Sequence, residues 1–214
     1  MAFSEAEENK KFYGAALKAD KYFCQMVYQI HTYQEKIKKA ESIVNTLQKT
    51  NEQDSLTRIL NAGTTRRLSE EYLSGENKNC AVMVIDVDSF KRINDRYGHM
   101  VGDEVMICAA ATIKKLFRAN DIVGRIGGDE FLVLMKDVSD VGIVRQRCLQ
   151  IVNAFNEMKF DSMRDEMMSC SVGAAMCPIH ATNYNALFLL ADKAMYRSKK
   201  LGGNRYMLEE SNNA

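Results

Sequence analysis

Between Cys80 and Val87 the chain is apolar at every position but Asp86, and a second acid, Asp88, follows at once. A strand with one face in water alternates apolar and polar side chains, whereas an unbroken apolar run is what a strand covered on both faces needs. Whatever sheet holds this strand must therefore carry helices on both sides. The sequence after Asp54 supplies them. Periodicity and breakers predict helices over Thr64–Leu73, Phe90–Tyr97 (stopped by Gly98), Val101–Phe117, Ser139–Met158 and Tyr184–Lys200. They predict strands over Cys80–Val87, Ile122–Ile126, Glu130–Met135, Met167–Ala175 and Arg205–Leu208. A glycine pair separates the second and third strands, which is a hairpin signal. For the helix over Val101–Phe117 the expected inner face is Val105, Ile107, Cys108, Ala111 and Leu116. The fold class read from this alternation is α/β (α+β), with a sheet of about five strands flanked by helices.

A different grammar precedes it. From Glu5 to Gln53 there is no proline and a single glycine, Gly14, within a dense mix of Lys, Glu, Gln and Ala, which predicts a long N-terminal helix. Phe23, Ile30, Ile37 and Val44 fall at heptad position a, and Met26, Tyr33, Ala40 and Leu47 at d. Four such heptads suit a two-stranded coiled coil. The alternative is an amphipathic helix packing on its own domain, since Tyr33 and Ala40 are mediocre d residues. The resulting organisation is a helical stalk over 1–53, a globular domain over 54–210 and a tail over 211–214.

The formal net charge of +1 offers no broad basic face for a nucleic-acid polymer or an anionic membrane. Six cysteines, Cys24, Cys80, Cys108, Cys148, Cys170 and Cys177, are scattered without CxxC spacing, mostly inside apolar runs. They read as reduced core residues of a cytoplasmic chain, or of the cytosolic part of a longer sensor, rather than as disulfides or metal ligands. No apolar stretch approaches the roughly 18 residues of a membrane helix, and the amino terminus lacks a signal-peptide pattern.

Two clusters carry chemistry. Asp86-Val87-Asp88-Ser89-Phe90-Lys91 sits at the carboxyl end of a strand beside a helix start, where ligands bind in α/β sheets. Two carboxylates one residue apart leave a strand on the same face, an arrangement that suits a hard cation, with Lys91 placed for a phosphate sharing it. Acids at a strand end also serve simply as helix caps. The second cluster, Gly127-Gly128-Asp129-Glu130-Phe131, puts two acids directly after a turn whose glycines leave room for a nucleotide against the backbone. Alone, it would equally be a solvated turn.

Together the clusters resemble the GGDEF family of diguanylate cyclases. The signature stands at Gly127–Phe131; upstream, Asp86 to His99 followed by Gly102-Asp103 is similar to the family's metal and guanine segment; Ala191 to Lys199 resembles its last helix. The likeness covers about Asp54 to Leu208. It implies a nucleotidyl-cyclase-like fold with a mixed or antiparallel central sheet. It implies that Asp86, the Val87 carbonyl, Asp129 and Glu130 bind magnesium, or manganese in its place. Asp129, assisted by Lys91 and Glu130, would serve catalysis. The Ser89 and Phe90 amides, Lys91 and Lys199 would hold the triphosphate of GTP, and Asn94 and Asp103 would read guanine. A carboxylate can accept from the N1 and N2 hydrogens of guanine, which adenine does not present. The implied reaction joins two GTP into cyclic di-GMP in a homodimer held through the N-terminal helix.

Arg118-Ala119-Asn120-Asp121 resembles the family's product-inhibition site for cyclic di-GMP, where arginine meets phosphate and guanine. Its plain alternative is a surface arginine capping a helix end. Three positions depart from the family pattern. Arg58 and Ala62 replace a usual glycine and arginine near the stalk junction, and Gly203 stands where a phosphate-binding arginine is common, with Arg205 nearby to compensate. The rival readings are a non-catalytic receptor for GTP or cyclic di-GMP, a dimerisation module with an idle nucleotide fold, and a cyclase that also accepts ATP.

Overall fold

The computed structural model describes residues 21, 23, 25, 26, 29–39, 52–75, 78–163 and 166–210. The chain divides into two compact units, Met1–Asn51 and Glu52–Ala214. In the first, the described residues between 21 and 39 are helical. Phe23, Met26, Ile30, Tyr33 and Ile37 are each half or more exposed, so a stripe spaced three and four residues apart faces solvent. Ala40, Val44 and Leu47, the remaining heptad positions, lie outside the described residues, as does Cys24. No helix among the described residues is long and apolar enough to cross a membrane.

The second unit runs α1 (Ala62–Leu73), β1 (Cys80–Val87), α2 (Phe90–Tyr97), α3 (His99–Leu116), β2 (Ile122–Arg125), β3 (Glu130–Lys136), α4 (Val141–Asn156), a 3-10 turn (Asp161–Met163), β4 (Cys170–Cys177), α5 (Tyr184–Lys200) and β5 (Arg205–Leu208). Local signals start and stop these helices. The Asn61 side chain accepts the Thr64 amide, that of Asp140 accepts the Gly142 amide and that of Asn183 accepts the Ala186 amide, each satisfying a helix N–H that has no partner within its helix. Gly98, at φ 85°, ends α2 and turns the chain straight into α3, a conformation that disfavours side chains.

The five strands form one sheet in the order β2-β3-β1-β4-β5. β1 lies at its centre, antiparallel to β3 and β4, and β5 joins β4 in parallel. All residues of β1 are buried, as its unbroken apolar run requires. Ala81, Met83, Ile85 and Val87 share one core with Val105, Met106 and Ile113 of α3 and with Val144, Cys148, Ile151 and Phe155 of α4. Cys80, Val82 and Val84 share the other with Leu187, Ala191 and Met195 of α5. Burying each large apolar side chain contributes about 1.5–3 kcal/mol. At Gly173 a β-carbon would stand 2.0 Å from the Ala191 carbonyl oxygen, so α5 reaches β4 closely only because that position has no side chain.

The inner face expected for α3 is corrected at two positions, Ile107 and Ala111, while Val105 is buried and Cys108 and Leu116 pack against the core. Gly102, Val105, Met106, Ala109, Ala110 and Ile113 are buried, whereas Ile107 is 47% exposed and Ala111 lies outside. The buried set repeats every three to four residues, which is one helical stripe; Ile107 and Ala111 lie off it. Cys80, Cys148, Cys170 and Cys177 are buried free thiols and Cys108 is half-buried.

Candidate active site

The pairing register brings the two acidic clusters together. Asp86 stands directly opposite Glu130 on β3 and opposite Ser171 on β4. One residue on, the Val87 amide donates to the Asp129 carbonyl oxygen at 3.1 Å. The end of β1 thus lies beside both acids of the hairpin that joins β2 to β3. Strand alternation puts Asp86, Glu130 and Ser171 on the α5 face, with Val82, Val84, Leu132 and Ala175 below them in that core. From α5, Lys199 Nζ reaches Asp86 Oδ2 at 2.5 Å.

The electrostatics follow from burial. Asp86 is 3% exposed, and its carboxyl is pushed up to about 6, first by desolvation and then by Asp129 and Glu130, against the opposing pull of Lys199. Glu130 is raised by burial and by Asp129. Asp86 pairs with Lys199, and Asp129 and Glu130 stand close enough to raise it. Carboxylates are the hard oxygen ligands that a magnesium-sized divalent cation takes, although among the described residues no three acidic groups are gathered tightly enough to hold one ion as they stand. Beside these acids, a cavity of about 510 Å³ opens between Glu130 and Lys199 along α5, with Asp192 and Tyr196 in its wall.

On the other side of Asp86 the chain enters α2 through Ser89, held at φ 57° with no side-chain cap. The first amides of α2 accordingly have no cap, and the exposed Lys91 lies in the same turn, which is a geometry suited to phosphate. Asn94 and Asp103 are brought together at the corner between α2 and α3. Asn94 Oδ1 is buried without a hydrogen-bond partner, and a β-carbon on Gly102 would stand 1.8 Å from it. An unpaired buried acceptor beside an exposed carboxylate is what a base rich in N–H donors would satisfy.

Arg118 and Asp121 lie apart from this cluster, at the turn between α3 and β2. Asp121 accepts the Arg118 amide through Oδ2 and the Lys136 amide through Oδ1, both at 2.9 Å, so its carboxylate shapes the turn while the Arg118 side chain is exposed.

Sequence reasoning missed two sets of supporting residues. Arg125, on β2 before the glycine pair, donates to the Gly128 carbonyl through Nε at 3.2 Å and Nη2 at 2.6 Å, and to Asp54 Oδ1 through Nη1 at 3.1 Å. It ties the signature turn to the start of the domain. Ser169, Ser171 and Asn204 converge on Asp88. The only local signal was a basic residue two positions ahead of the glycines; the partners are remote in sequence. Two departures also gain a physical meaning. Arg58 adopts φ 61°, a backbone that favours glycine, and the buried Gly203 adopts φ 70°.

Comparison with known proteins agrees with this geometry. The profile of the family described as diguanylate cyclase, GGDEF domain, matches residues 51–205. The probable diguanylate cyclase DgcC of Escherichia coli (strain K12) is 32% identical over 166 residues, which is 74% of this chain but 43% of DgcC, so the chain spans less than half of that relative. Among solved structures, the GGDEF domain of TpbB (YfiN) from Pseudomonas aeruginosa superposes with a TM-score of 0.70 at 33% identity, covering 75% of this chain and 95% of that one. The coiled coil and GGDEF domain of DgcB from Caulobacter crescentus, at 20% identity, shares the fold with a TM-score of 0.78 over 86% of this chain and 98% of that one. With the family profile spanning β1 to β4 and both acidic clusters, the chain belongs to the GGDEF family.

Proposed function

We propose that this protein is a diguanylate cyclase, condensing two GTP into cyclic di-GMP with release of two pyrophosphates. The observation that carries this reading is the strand register that sets Asp86, paired with Lys199, against the Asp129–Glu130 corner of the hairpin at the end of β1, beside the uncapped turn at Ser89. Residue roles are those that the family resemblance implies. The Ser89 and Phe90 amides with Lys91 and Lys199 hold the triphosphate, and Asn94 and Asp103 take the guanine edge. Asp86, the Val87 carbonyl, Asp129 and Glu130 would hold magnesium, or manganese in its place, which when bound neutralises phosphate charge and makes the attacking hydroxyl more acidic.

The 3′-hydroxyl of one GTP attacks the α-phosphorus of the other; a P–O bond forms, the bond to pyrophosphate breaks, and Asp129 assists removal of the hydroxyl proton. The same step run from the second 3′-hydroxyl closes the ring and releases the second pyrophosphate. Lys199 and Lys91 would neutralise the charge that builds on the departing pyrophosphate. Because one domain holds one nucleotide, two domains face each other about a twofold axis. The exposed stripe from Phe23 to Ile37 supports pairing of N-terminal helices, which raises the domains' effective concentration to roughly the millimolar range. Product inhibition runs through Arg118, with Asp121 holding its turn.

Pure protein incubated with GTP and magnesium is expected to yield cyclic di-GMP, and Asp129→Ala to lose nearly all turnover with its fold intact. Tight nucleotide binding without product would instead make the domain a receptor, and competition by ATP would mark a mixed cyclase. Arg118→Ala should relieve inhibition at high product; an unchanged progress curve would reduce Arg118 to a capping residue.

A further inference from the structure

Asp88 leaves β1 on the same face as Asp86, yet its carboxylate is already engaged. Oδ1 accepts from Ser171 Oγ at 2.7 Å; Oδ2 accepts from Ser169 Oγ at 2.8 Å and from the Asn204 amide at 2.8 Å. Its own amide donates to the Ser169 carbonyl at 3.0 Å. A carboxylate offers about four lone-pair sites, so three are filled by the protein. The donors come from two places: the entry to β4, and the loop that leaves α5 after Lys200. In that loop Gly202, Gly203 and Asn204 are all left-handed, at φ 104°, 70° and 50°. A β-carbon at Gly203 would stand 2.8 Å from Asp88 Oδ2, so the loop lies against the carboxylate at closest approach. On the other side of Asp88, the next residue is Ser89 at φ 57°.

We infer that Asp88 is a positioning residue that locks the Ser89–Phe90 amide turn to the end of the helix bearing Lys199, so that the two elements hold one triphosphate in a fixed relation. This rests on the triphosphate assignment above and adds a residue to it. Left-handed backbone at Ser89 and Asn204 is unfavourable for residues with a side chain and persists where surrounding bonds over-determine it. Asp88 bonds directly to the Asn204 amide, and its bonds to Ser169 and Ser171 fix the backbone from which Ser89 follows. Its requirement is geometric: an asparagine can place its carbonyl where Oδ2 accepts two donors and turn its amide toward Ser171 Oγ. A role that needed the charge would not survive that change.

The test compares the parent chain, Asp88→Ala, Asp88→Asn and the double variant Ser169→Ala/Ser171→Ala. It uses steady-state turnover of GTP with magnesium, calorimetric affinity for GTP, and inhibition by guanosine, which offers the base but no phosphate. Asp88→Ala and the serine pair are expected to raise KM and weaken GTP about tenfold, the cost of one or two net hydrogen bonds. Guanosine inhibition should stay within twofold, and Asp88→Asn should return KM to within threefold of the parent. If Asp88→Ala does not fold, the serine pair and Asp88→Asn decide. A folded Asp88→Ala with KM and affinity within twofold of the parent overturns the assignment, as does a serine pair that leaves both unchanged or an Asp88→Asn as weak as Asp88→Ala. A parent that binds GTP without forming product overturns the cyclase reading, and the affinities still judge Asp88. A parent that binds no GTP overturns both.

Discussion

Replacing Arg125 with methionine keeps the aliphatic stem and removes the guanidinium that joins Asp54 to the signature turn. The Arg125 and Asp54 side chains are 15% and 22% exposed, so their pair is only partly screened by water and contributes about 1–2 kcal/mol. Asp54 is not orphaned by the change, because it still accepts the Thr57 amide at 2.8 Å and the Thr57 hydroxyl at 2.6 Å. The two bonds to Gly128 contribute less, about 0.5–1 kcal/mol together, since that exposed carbonyl can turn to water. Arg125→Met should therefore cost about 1.5–3 kcal/mol in urea unfolding, or about 3–12 °C in Tm for a domain of this size. A double-mutant cycle with Asp54→Asn should return a coupling of about 1–2 kcal/mol. Because the loosened hairpin carries Asp129 and Glu130, kcat should fall about tenfold with KM for GTP less affected. Stability within 0.5 kcal/mol of the parent, or coupling indistinguishable from zero, would show that the guanidinium does not hold the turn.

Other consequences can be checked in parallel. Asp86 sits at about 6 in the cation-free fold against an ordinary 3.8, so its contribution to stability is fully present below about pH 4 and is lost as pH rises through about 6. A divalent cation needs the carboxylate, so the magnesium-induced rise in Tm should be small at pH 5 and complete by pH 8; an equal rise at both would remove Asp86 from the cation site. Gly102→Ala should force Asn94 out of place and raise KM for GTP about tenfold, with no further loss when combined with Asn94→Ala. Additive losses would separate the two residues. Arg58→Gly should gain about 0.5–1 kcal/mol by relieving the left-handed backbone at φ 61°, and a loss on denaturant unfolding would reject strain there.

Local signals carried the element map and named the chemistry. The limits of α2, α5 and β5 were readable because Gly98, Asn183 and the glycines after Lys200 act within a turn of the backbone they stop or start. Motif chemistry singled out Asp86, Asp129 and Glu130 for the same reason, each group being a few consecutive residues. The buried face of α3 was misjudged because hydrophobicity marks Ile107 and Ala111 as inward candidates, while the neighbours that pack there choose Met106, Ala109 and Ala110. Only tertiary structure decided that Asp86 faces Glu130, that Lys199 reaches Asp86, that Asp88 takes Ser169, Ser171 and Asn204, and that Arg125 meets Asp54 across 71 residues of chain. Strand register is set by the summed packing of both sheet faces, and a slip of one residue would turn Asp86 to the opposite face. No local pattern encodes that sum.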